Sequence, residues 1–106
     1  MRKIEEQMIQ AIKDNKAWRS GNTEVTLGSD GVSYVFLHGN LIAEVGDTFV
    51  RVFDGGWRTV TTKSRLNSII NAFCNAYTDG IFQHKFNWFI RDCELVHEFE
   101  DGYVFS

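Results

Sequence analysis

The sequence predicts an α+β domain, with an antiparallel β-sheet (a meander plus a hairpin) packed against one long helix and preceded by a short N-terminal helix. Three observations predict it. Apolar residues recur at helical spacing over 4–12 and again over 61–77. Between these stretches, short apolar runs are bounded by Gly beside Asn, Asp or Ser, the pairs that close hairpins. Proline is absent and all nine glycines lie at or beyond Gly21, so turns rest on residues that admit positive φ.

The elements follow in order. Ile4, Met8 and Ile12 stand four residues apart, flanked by Ile9 and Ala11, while Arg2, Lys3, Glu5, Glu6 and Gln7 take the other face. This predicts an amphipathic helix of about four turns ending near Asn15–Lys16. Four strands are then expected: Thr23–Leu27, Val32–His38, Leu41–Val45 and Thr48–Phe53, separated by Gly28–Gly31, Gly39-Asn40 and Gly46-Asp47. The second is apolar on both faces, which predicts a central strand beneath a helix. Leu66, Ile69, Ile70, Phe73 and Tyr77 form a core-facing stripe over 61–77, with Thr61 or Thr62 as N-cap and Asp79-Gly80 as the stop. A hairpin of Ile81–Phe86 and Trp88–Arg91 with a turn near Asn87 follows. A last pair, Cys93–Phe99 and Tyr103–Phe105, is expected to turn at Asp101-Gly102.

Composition bounds the function. The 106 residues are 43% hydrophobic, 14% aromatic and 24% charged, which suits one domain with its own core. Within it, 1–17 is the N-terminal helix, 21–91 the α+β core and 92–106 an acidic strand or tail. No apolar run approaches the ~20 residues of a membrane span, and the charged start lacks a signal peptide's apolar segment. Two cysteines do not make a disulfide scaffold, so reduced thiols in a cytosol are expected. The net charge of −3 is unevenly spread. Residues 57–91 carry five Lys/Arg against one acid, and 92–106 carry five acids and no Lys/Arg. The basic stretch and the acidic tail either pair with each other or serve separate partners.

The run Asp54-Gly-Gly-Trp-Arg-Thr-Val-Thr-Thr-Lys-Ser-Arg-Leu-Asn67 resembles a motif of small tailed-bacteriophage proteins, in which GGWRTVTTK-x-RLN opens a helix. Asn22-Thr23, Leu37-His38-Gly39-Asn40, Gln83 and Trp88-Phe89 fit the same pattern in order. The resemblance covers about residues 21–91 and leaves the N-terminal helix and the acidic tail outside. It implies a phage origin and an α+β fold, and no mechanism. By analogy alone, a phage protein of this size is expected to bind and redirect host or phage machinery in the host cytoplasm.

Physically, the same run is unusual. A helix N-terminus favours acids, yet Lys63 and Arg65 are expected in the first turn with Arg58 just upstream. Together with Trp57 and the hydroxyls of Thr59, Thr61, Thr62 and Ser64, these cations resemble an anion, nucleic-acid or partner-binding seat. The exposed side of the following hairpin offers further stacking surface. The alternative is that Thr62 only caps the helix, Trp57 packs in the core, and the cations pair with Glu98, Glu100 or Asp101. In the tail, Glu98, Glu100, Asp101 and Tyr103 combine acids with an aromatic. That suits docking to a basic protein surface, or an edge hairpin kept soluble by its charges. His38, His84 and His97 match no metal-ligand spacing with Cys74 or Cys93, and Cys93 and His97 would lie about 13 Å apart on a strand. The expected function is therefore non-catalytic binding to a host or phage protein, without cofactor or metal. A nucleic-acid-binding module using 57–65 is the alternative.

Overall fold

In the computed structural model, which describes residues 2–106, two helices pack on one face of a six-stranded sheet and a second, three-stranded sheet closes the core. The first helix, α1, is Lys3–Lys13, three turns rather than four. Asn15 at φ +52 leaves the helical path, and Asp14 caps α1 through its backbone N–H. Met8, Ile9 and Ile12 are buried as their spacing requires. Glu5, expected on the solvent face, is buried as well.

The large sheet contains β1 (Trp18–Ser20), β2 (Thr23–Leu27), β3 (Ser33–Leu37), β4 (Asn40–Val45), β5 (Val50–Val52) and β9 (Tyr103–Phe105), in spatial order β1-β2-β3-β4-β5-β9. All neighbours run antiparallel, so the expected meander is present. Its additional first strand, β1, is only three residues long and lacks an apolar alternation that could announce it. The helix-covered face of β3 buries Val35 and Leu37, but Tyr34 and Phe36 on the other face stay half-exposed. A helix therefore covers β3 on one face only. The register of β3 against β4 shifts between Val35 and Phe36, so Ile42 and Ala43 are both buried although adjacent.

The second helix, α2, is Val60–Phe73. Thr59, not Thr61 or Thr62, is its N-cap: its Oγ1 accepts from Thr62 N at 3.1 Å. It stops one turn earlier than the apolar stripe implies. Asn75 N donates to Asp79 Oδ2 and Tyr77 N to Asn75 Oδ1, so a side-chain-bonded turn replaces the last helical turn. Tyr77 is consequently 90% exposed, while Leu66, Ile69 and Ile70 are fully buried and Phe73 only half-buried.

The small sheet has the order β6-β7-β8, with β6 Gly80–His84, β7 Asn87–Asp92 and β8 Leu95–Glu98. Both of its two-residue turns, Lys85-Phe86 and Cys93-Glu94, have positive φ without glycine. These are strained choices that turn chemistry does not announce. The last two strands do not pair with each other. The third strand of this sheet bonds to β7, and β9 bonds to β5 across the core. Phe99, between them, is buried edge-on against Trp88. One core cluster joins α1, α2 and both sheets through residues such as Met8, Val35, Val52, Ile69, Trp88 and Phe105. No helix among the described residues is long and apolar enough to cross a membrane.

Candidate functional site

The loop Asp54–Thr59 joins the large sheet to α2, and its geometry begins with two glycines. Gly55 and Gly56 have φ of +69° and +88°. A Cβ on Gly55 would stand 3.0 Å from Ile42 Cγ2, so the side chain buried by the β4 irregularity fixes how closely the loop approaches. Asp54 then locks the turn. Its Oδ1 accepts from Gly56 N at 2.7 Å, its Oδ2 pairs with Arg58 Nε at 3.2 Å, and its own N–H donates to Asp101 Oδ1 at 2.8 Å. Arg58 lies over the rings of Phe99 (5.2 Å) and Trp88 (5.9 Å). This tightly bonded loop leaves Trp57 71% exposed and not packed in the core.

Beside Trp57 opens a cleft of about 370 Å³, walled also by His38, Asn40, Asp54 and Thr61. Two segments far apart in sequence, Leu37–Asn40 and Asp54–Thr62, thus meet at one place. Val60, the first residue of α2, is a second exposed apolar side chain close to Trp57 in sequence.

The remaining cations of the basic run do not gather here. Arg65, expected in a surface anion seat, is buried at 4% exposure. Its Nη1 donates to Glu5 Oε2 at 2.8 Å and its Nε to Thr23 Oγ1 at 3.2 Å, and Ser64 Oγ also donates to Glu5 at 2.6 Å. Thr62 is buried and shares a hydroxyl hydrogen bond with Thr59. Lys63 is half-exposed and has no ion pair among the described residues. Nor, among the described residues, do these cations pair ionically with the tail: Arg58 meets Phe99 through its ring, and Asp101 accepts a backbone N–H. Glu98, opposite Phe89 in the small sheet, and Glu100 remain exposed, and Tyr103 donates its hydroxyl to Asp92 Oδ2 at 2.8 Å. Burial first, then that hydrogen bond to Asp92, pushes the Tyr103 phenol up to about 12.

A second cleft, of about 400 Å³, contains Cys74, Asp79, Asp92 and Cys93. Asp79, Asp92 and Cys93 each bring a potential ligand atom within 4.8 Å of the others. Sequence spacing missed this group because the β6–β7 hairpin separates Asp79 from the other two. Their hydrogen bonds show a structural role. Asp79 accepts from Asn75 N, Thr78 Oγ1 and Cys93 N, tying the end of α2 to the β7–β8 turn. Burial, then the charges of Asp79 and Asp92, pushes the Cys74 thiol up to about 11. Cys93 is raised too, chiefly by its hydrogen bond to Asp92. Both thiols are therefore protonated near neutral pH, the opposite of an activated nucleophile.

No curated protein and no solved structure matches this chain significantly. A phage protein family does match, and it matches residues 1–106, so α1 and the acidic tail lie inside the family unit although the motif left them outside. The chain belongs to the Kyanoviridae Gp96 protein family.

Proposed function

We propose that this protein acts in the host cytoplasm by non-catalytic binding to a host or phage protein, with Trp57 as the anchor of the contact. The observation that carries the reading is the combination of Trp57's exposure with the rigidity of its loop. A flexible aromatic loses conformational entropy when it docks, whereas a preorganised one loses little. Tryptophan is also the residue type most enriched among side chains that dominate protein interfaces. The exposed Val60 supplies apolar area, and Glu100, exposed between Phe99 and Asp101, which both contact this loop, supplies negative charge suited to a basic partner surface. The protonated thiols and the absence of any cysteine–histidine spacing suited to nucleophilic catalysis favour binding over chemistry.

The test compares the wild-type chain with Trp57→Ala. Because Trp57 contributes little to the core, the variant should melt with the wild type. A partner captured in stoichiometric amount from infected host cells, then purified, should bind the variant at least ~30-fold more weakly, the ratio of a 2 kcal/mol hot spot. Equal binding by both proteins would sink the proposal.

A further inference from the structure

The outward face of the small sheet carries groups that the Trp57 surface does not use. Cross-strand register places Phe82 opposite Phe89, and Gly80 opposite Arg91, which in turn faces Val96. Phe82 and Phe89 stack at 5.5 Å between centroids with planes only 21° apart, and His84 tilts against Phe89 at 6.5 Å. Phe82 is 38% exposed, and Phe86 at the hairpin tip is 93% exposed. This is an open aromatic platform, not an extension of the core.

At one end of the platform lies a cleft of about 640 Å³ between β6 and α2, lined by Phe82, Arg91, Val96, Asn67 and Asn71. Gly80 lies in its lining, with no side chain to fill it. Asn67 bonds both the N–H and the carbonyl of Ile81, so this wall is fixed. Arg91 differs from three other arginines of the molecule. Arg51, Arg58 and Arg65 each have a carboxylate partner, whereas Arg91 has no ion pair among the described residues and its buried Nε has no hydrogen-bond partner. Asp79 also borders the cleft, but its oxygens already accept from Asn75, Thr78 and Cys93. Lys85 stands at the opposite end, beside Phe86. Glu98, across from Phe89, is the acid on the platform itself.

We propose that this face binds single-stranded nucleic acid, with bases stacked on Phe82, Phe89 and Phe86 and phosphates seated on Arg91 and Lys85. Stacked rings accept any base through its π-face, and an uncompensated guanidinium suits a phosphate. Arg91 stands opposite Gly80 at the start of β6 and Lys85 follows His84 at its end, so the length of the strand, about 13 Å, separates them along its axis. That separation favours a strand over one free nucleotide. Duplex is disfavoured because its bases are not available for stacking. The site shares no residue with the Trp57 cleft, so the two readings stand or fall separately.

The experiment is fluorescence anisotropy of labelled oligothymidylate and oligouridylate 12-mers titrated with the full chain at low salt. A duplex of equal length and thymidine monophosphate serve as competitors. Single strands should bind, with a log–log salt slope near −1.4 for two phosphate contacts, at about −0.7 for each. Arg91→Gln should remove about half of that slope. Phe82→Ala should weaken binding by roughly 5- to 150-fold. Phe86→Ala, at a fully solvated tip, should weaken it without changing the melting temperature and decides the question if the Arg91 variant fails to fold. The proposal is overturned by no binding at ~50 mM salt, by equal competition from duplex or mononucleotide, or by folded variants that bind like the wild type.

Discussion

Glu5 and Arg65 form the most consequential polar contact in the molecule, since both are at least 96% buried and, among the described residues, each is the other's only ion-pair partner. Replacing Arg65 by Met keeps most of the stem but removes the 2.8 Å charged hydrogen bond to Glu5 and the 3.2 Å bond to Thr23. The first contributes about 1.5–3 kcal/mol and the second about 1 kcal/mol. Glu5 is then left as a buried carboxylate with Ser64 as its remaining side-chain donor. The expected loss is about 3–5 kcal/mol, in line with breaking one side of a buried pair. A domain of this size has about 5–15 kcal/mol in all. The melting temperature should therefore fall by roughly 12–25 °C. Glu5→Leu combined with Arg65→Met leaves no buried charge at this contact and should be more stable than either single variant by at least ~1 kcal/mol. Urea unfolding of the four proteins measures this cycle. The reasoning fails if Arg65→Met melts within ~3 °C of the wild type, or if the two single losses simply add.

Three further outcomes are expected. Ile69→Ala should cost about 2–5 kcal/mol because Ile69 is fully buried, while Phe73→Ala, half-buried at the end of α2, should cost less; the reverse order in urea would contradict the observed helix end. Thr59→Ala should destabilise by about 1 kcal/mol through the lost cap, and an unchanged midpoint would show that Thr59 does not hold the helix. The fold favours the protonated forms of Cys74 and Tyr103, so their stabilisation is present below pH 9 and lost as pH rises through about 11 for Cys74 and about 12 for Tyr103. The melting temperature should fall over that alkaline range, and Cys74→Ala with Tyr103→Phe should flatten the decline; a double variant as alkali-sensitive as the wild type would refute these causes.

Both helices, the meander from Thr23 to Val52 and the β6–β7 hairpin are legible in the sequence alone, because their apolar spacing and turn residues are local properties. The class α+β follows from them. Local properties do not report which distant partner satisfies a polar side chain. Glu5 reads as a solvated residue and Arg65 as a surface cation until α1 and α2 are brought together, when each removes the other's cost of burial. The same limit hides the α2 terminus, since Tyr77 continues the helical stripe but Asn75 and Asp79 divert the backbone into a turn. It also hides the destination of the last strands. Their nearness in sequence suggests a hairpin, whereas burial of Phe99 against Trp88 and of Phe105 in the core sends one strand to each sheet. Trp57 was visible as a candidate from its glycine-rich run. Its exposure was decided only by tertiary structure, because Asp54, Arg58 and Asp101 hold the loop where the indole cannot reach the core.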